Sequence, residues 1–183
     1  MGRPKLFDRK DVTDKALQVF WRKGYLDTSL KDIEEATGVF KPALYSEFGD
    51  KEGLFLECIQ YYREHYSGRL HLLKEPFGWK NIEAFLKSVL PDKLGRGCFE
   101  VSASTRDFPV LNENLKSDEY SEKMMTAIER NLKAAGEETK TLNILTEIIF
   151  TFYCGLAALA LSQPRRKLEK RVTDFLNFIR MES

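Results

Sequence analysis

The sequence predicts an all-α protein with an N-terminal three-helix, helix-turn-helix domain and a larger helical domain behind it. Three observations predict this. Strand-like alternation is nearly absent, apolar residues recur at spacings of three and four, and short Gly, Pro and Asp breaks separate the runs.

The first helix is expected from an N-cap at Asp8 to about Lys23, with Val12, Ala16, Val19 and Phe20 inward and Gly24 closing it. Ser29 opens the second, and Asp32 three residues on makes a variant capping box. Ile33 and Ala36 are assigned to its inner face. Thr37-Gly38-Val39 forms a tight turn in which glycine adopts φ > 0 without steric cost. A third helix over 40–48 buries Leu44 and Phe48 and leaves its other face open. Two short helices crossing steeply at a glycine turn can present the second to the DNA major groove.

Asp50 caps a long helix expected over 51–73, with Leu54, Phe55, Cys58, Ile59, Tyr62 and Tyr66 on one buried face. At that length it would span roughly 30 Å and join two domains, placed at 1–50 and 51–183. Pro76, Gly78 and the 91–97 segment flank a helix at about 79–90. Phe99 and Val101 alternate with polar residues, but brevity and helical surroundings favour a helix for the segment from Cys98. Pro109 breaks the pattern, and a helix over about 112–135 ends at Gly136.

The last two helices differ in character. Residues 141–161 are nearly apolar on all sides, and Pro164 stops the run. Residues 166–181 carry a stripe of Leu168, Val172, Phe175, Leu176 and Ile179. So much apolar surface implies central burial or a subunit interface. Gly155, Ala157, Ala158 and Ala160 would let another helix approach closely, so Phe150, Cys154, Ala157 and Leu161 join the stripe as candidate dimer contacts in a four-helix bundle.

At 183 residues, 43% hydrophobic and 31% charged, the chain can bury one large core or two small ones. It lacks a continuous run of about 18 apolar residues and an apolar leader, so no membrane partner and a cytoplasmic location are expected. Cys58, Cys98 and Cys154 are too scattered for a disulfide framework or zinc site, and His65 and His71 are wrongly spaced for a metal pair. No cofactor, metal or enzyme activity is expected. The net charge is +1, and the first fifty residues hold nine basic and nine acidic side chains. Any attraction to DNA must therefore be local, at Arg3, Lys5, Arg9 and Lys10 and around Lys41 and Lys51.

Seven fragments in order carry a resemblance: FDR at 7–9, ALxxFW at 16–21, KGY at 23–25, TSL at 28–30, ATGV at 36–39, LY at 44–45 and FGDKEGLF at 48–55. In these the chain resembles the TetR family of bacterial transcriptional regulators, over about residues 2–62. The resemblance implies an all-helical homodimer of about nine helices per subunit, with DNA-binding heads, an effector-receiving core and two dimerising helices. It implies a repressor released from a near-palindromic double-stranded operator by a small molecule. Tyr45 and Lys51 match family residues that reach phosphates. Lys41 is placed for a phosphate or guanine edge, Ser46 and Glu47 for the DNA surface, and Arg3 for a minor-groove arm.

Position 40, usually Ser or Thr in the family, is Phe, which would be a buried staple or touch DNA. Pro42 and Ala43 replace the common Gly and Thr; proline is tolerated in a first turn, and the Ala43 methyl could pack on a thymine. Tyr62, Tyr66, Phe85, Cys98, Phe99 and Phe152 are candidate effector-pocket residues. Cys98 has two readings: a small buried hydrophobe, or an electrophile or redox sensor activated by Arg96. An effector-free DNA-binding dimer is the remaining alternative.

Overall fold

The computed structural model describes residues 7–106 and 117–181. The arm with Arg3 and Lys5, and the expected break at Pro109 and helix start at Asn112, lie outside the described residues. Among these there is no strand. Ten helices are present: α1 Arg9–Lys23, α2 Leu30–Thr37, α3 Lys41–Phe48, α4 Lys51–His65, α5 Arg69–Leu72, α6 Trp79–Lys87, α7 Phe99–Arg106, α8 Ser117–Ala134, α9 Thr139–Leu159 and α10 Arg165–Met181. The chain divides into two compact units, one holding the residues up to His65 and taking in the stretch from Ser102, the other holding Tyr66–Val101 and the helices from Ser117 on.

In the first unit α1 packs against α2 and α4, and α3 against α4. The Asp8 carboxylate accepts the Lys10 N–H at 2.8 Å, and Gly24, at φ 88°, ends α1. Val12, Ala16, Leu17, Val19, Phe20, Ile33, Leu44, Leu54, Phe55 and Ile59 form the core. Phe20 meets Phe55 edge-on, with centroids 4.9 Å apart. The inner face of α2 is Ile33 with Thr37, four residues on; Ala36, expected there, is exposed.

The helix expected over 51–73 ends at His65, and Tyr66 is 44% exposed rather than on the buried stripe. Side-chain chemistry after the break explains it. The Ser67 hydroxyl accepts the Arg69 N–H at 3.2 Å and hydrogen-bonds the Tyr120 hydroxyl. Gly68 fits so closely that an added Cβ would lie 2.1 Å from Ser88 Oγ. Four-residue α5 therefore replaces the last turns of the long helix. At 15 residues α4 is about 22 Å long, not 30.

A buried asparagine organises the second unit. Asn131 donates to the carbonyls of Leu72 and Ala127, each at 2.8 Å, and its carbonyl accepts from Gly78 N–H at 2.9 Å and Asn81 at 3.0 Å. All its polar atoms are satisfied at zero exposure. Phe85 stacks on Tyr153 at 4.1 Å, and α8 packs along α9. The 21-residue α9 is long and apolar enough to cross a membrane by length and composition, although no uninterrupted apolar run marks it in the sequence. Leu142, Ile149, Tyr153 and Leu156 bury one face, while Ile144, Ile148 and Leu161 leave apolar surface outside.

Candidate nucleic-acid interface

The helix-turn-helix is assembled from local hydrogen bonds. The Ser29 hydroxyl accepts the Asp32 N–H at 3.2 Å, and the Asp32 carboxylate accepts the Ser29 N–H at 2.9 Å. Lys23 adds an ion pair to Asp32 at 2.6 Å. The Lys23 hydrogen bond, then those from Ser29, hold the Asp32 carboxyl well below the usual carboxylate range. Gly38 takes φ 73°, ψ 10°, and its N–H returns to the Glu34 carbonyl at 2.8 Å. Thr37 accepts the Val39 N–H at 3.2 Å and completes the turn.

The opening of α3 departs from the usual cap. Phe40 occupies the N-cap position, φ −74°, ψ 150°, and contributes no side-chain hydrogen bond. The Glu34 carboxylate, reaching over from α2, accepts the Lys41 N–H at 2.5 Å. Pro42 has no N–H to satisfy, and Ala43 N–H bonds the Phe40 carbonyl at 2.9 Å. The first turn of α3 is therefore closed by a carboxylate from the neighbouring helix. Phe40 is free of both capping and packing: it is 77% exposed, so it is not a staple.

Lys41, Pro42 and Ser46 are exposed, and Ala43 and Tyr45 are half-buried. Lys41 Nζ lies 5.2 Å from the Tyr45 ring centroid, and Lys51 Nζ lies 4.5 Å from that of Tyr25. Both cations are thus steered by aromatic faces. Asp50 caps α4 by accepting the Gly53 N–H at 2.8 Å. That donor is consequently taken, and an anion at this helix terminus would rely on Lys51 and the remaining N–H groups.

Two residues have roles the sequence did not disclose. Arg9, grouped with the basic arm, instead ties three helices together: it reaches Glu47 of α3 at 2.5 Å and Glu57 of α4 at 3.1 Å, and lies over the Phe48 ring. Hydrogen bonds to Glu57 and then Glu47 raise its pKa. This also turns Glu47 inward, with its side chain 17% exposed. Gly53 sits where an added Cβ would lie 2.1 Å from the Phe48 carbonyl oxygen, so only glycine permits this α3–α4 approach. Its place in the FGDKEGLF run was the available signal.

The candidate effector residues fall in both units. Tyr62 packs edge-on against Trp21 in the first unit, Phe85 stacks on Tyr153, and Phe152 stacks on Phe175 beside a surface groove of about 380 Å³. Phe99 and Cys98 are buried, and Arg96 is tied to Asp92 at 2.8 Å. A different cavity of about 290 Å³ in the second unit is lined by Arg69, Leu73, Glu119, Lys123, Ala127 and Arg130 among others. Arg69 Nε is buried there with no hydrogen-bond partner among the described residues.

The candidate dimer residues also divide. Ala157, Leu168, Val172, Leu176 and Ile179 are buried within the chain itself, because the amphipathic stripe of α10 faces its own core. Phe150, Cys154 and Phe175 are half-buried and Leu161 is exposed. The open apolar face consists of Ile144, Ile148, Phe152, Leu161 and Phe178, with Gly155 and Ala158 between them.

Residues 12–58, from α1 into α4, match the family model for bacterial regulatory proteins of the tetR family. Over this segment the chain is similar to the TetR family. Over 68 residues it is 48% identical to the HTH-type transcriptional repressor ComR of Escherichia coli (strain K12), a match covering 37% of this chain and 32% of ComR. The matched segment thus spans about a third of that relative's length. The TetR-family regulator CifR, solved as a cysteine mutant with 26-base-pair operator DNA, is 28% identical, with TM-score 0.76 over 96% of this chain and 98% of that one. Reduced NemR of E. coli shares this fold at 17% identity and TM-score 0.72, over 91% and 93% of the two chains.

Proposed function

We propose that the protein is a homodimeric transcriptional repressor that leaves a near-palindromic operator when a small molecule binds it. The observation that carries this is α3: a second helix of a complete helix-turn-helix, presenting Lys41, Pro42 and Ser46 to solvent, with Tyr45 half-buried on the same helix and Lys51 opening the next. Each recognition helix would enter one major groove, with half-sites about one helical turn, ~34 Å, or somewhat more apart. Residues 1–50 would bind DNA, and 51–183 would receive the effector and dimerise. A second copy covering the open α9–α10 face supplies the two-headed arrangement a palindrome requires.

Effector release is supported by the second-unit cavity, whose unpartnered Arg69 nitrogen calls for an acceptor such as a carboxylate. A ligand that favours one spacing of the heads shifts the dimer toward it, and by linkage DNA weakens that ligand's binding equally. The thiol-sensor reading has less behind it, because Cys98 is 4% exposed and Arg96 is committed to Asp92. N-Ethylmaleimide should leave DNA binding unchanged; release would favour the thiol reading.

The deciding experiment is selection of duplexes from a random library with the purified chain, followed by anisotropy titration in increasing salt. A near-palindromic consensus bound in the nanomolar range supports the proposal, and no sequence preference at low salt refutes it. A thermal-shift screen of small carboxylates tests the effector: stabilisation lost in Arg69→Gln supports the cavity, and no response to any of them favours an effector-free dimer.

A further inference from the structure

We infer that Phe40 reads the C5-methyl group of a thymine in each operator half-site. This rests on the DNA-binding reading above and goes beyond it by naming a base feature and the side chain that recognises it.

Position 40 leads into the recognition helix, where a polar cap would favour the helix and an inward ring would favour the core. Phe40 does neither, and at 77% exposure it is the most exposed large apolar residue among the described residues. A solitary exposed ring is unremarkable on a general surface. Here it stands beside Lys41 and Pro42, both also exposed, on the leading end of α3. The N-terminal residues of such a helix meet base edges when it docks in the major groove.

The local charge narrows the partner. Glu34 holds the Lys41 N–H at 2.5 Å, so a carboxylate sits at the helix opening where an anion would otherwise be bound. A phosphate brought to that point meets like charge and finds the donor occupied. An uncharged, apolar feature suffers neither penalty. Among the four bases, only thymine offers one in the major groove, its methyl group.

The test replaces thymine by deoxyuridine, which removes that methyl and retains the pairing edge. Duplexes are first selected by the full-length protein, and each thymine of the consensus is then replaced singly and symmetrically. One symmetric replacement should weaken binding by about fourfold per half-site, the worth of one buried methyl. Phe40→Ser, at an exposed position, should bind the parent and that deoxyuridine duplex equally. Wild-type protein indifferent to every replacement overturns the inference while leaving DNA binding intact. A Phe40→Ser variant that still senses the methyl overturns it too, by assigning the contact elsewhere. Failure to select any sequence overturns the DNA-binding reading itself.

Discussion

Glu34 performs at the opening of α3 the task that a side-chain N-cap would perform, since Phe40 contributes none. Its carboxylate belongs to the preceding helix, so losing it both uncaps α3 and releases α2 from it. Glu34→Ala should cost about 1 kcal/mol of stability, measured as a lowered urea midpoint, with Glu34→Gln intermediate. Asp32 gives a pH signature. Its folded pKa lies below the unfolded value, so its contribution is present above the unfolded carboxylate range and is lost as pH falls through the folded value. Below about pH 4 the wild type should therefore lose stability more steeply than Asp32→Asn, in urea titrations across pH 2–7. The Ser29–Asp32 pair could be recognised in the sequence because both members lie within one helical turn. The Glu34 cap and the Arg9 clasp could not, since their partners lie seven, 38 and 48 residues away.

At the scale of elements, helix starts and stops were readable wherever chemistry was local. Asp8, Gly24, Ser29, Gly38 and Asp50 all stand where the residue types place them. The end of α4 was not readable, because Tyr120, 53 residues beyond Ser67, helps fix the chain after it. The α10 stripe had the correct period, but periodicity does not distinguish a helix's own core from a partner subunit. Asn131 shows the same limit: nothing near it in sequence marks it as the hub joining Leu72, Gly78 and Asn81. Asn131→Leu should leave the Gly78 N–H and Leu72 carbonyl without that partner and destabilise the protein by about 3 kcal/mol, seen as a drop in melting temperature.

At the scale of the whole molecule, α9 passes the length and composition test for a membrane span while one of its faces is built into a helical core. The outward face, with Ile144 and Ile148, presents the surface proposed to meet a second copy. Ile148→Glu, at a position 42% exposed in the single chain, should preserve helix content while shifting sedimentation from dimer to monomer at micromolar concentration. Binding to a two-half-site duplex should fall with it, and a half-site duplex should be affected far less. An unaltered sedimentation profile would remove this face from the proposed interface.

Gly53 is tucked against the Phe48 carbonyl, where α4 meets α3. Together with the Arg9 clasp it leaves α3 little freedom to swivel on its neighbour, so α1, α3 and α4 hold together as one piece. In the proposed dimer, an effector would then act by changing the separation of two heads that each keep their shape.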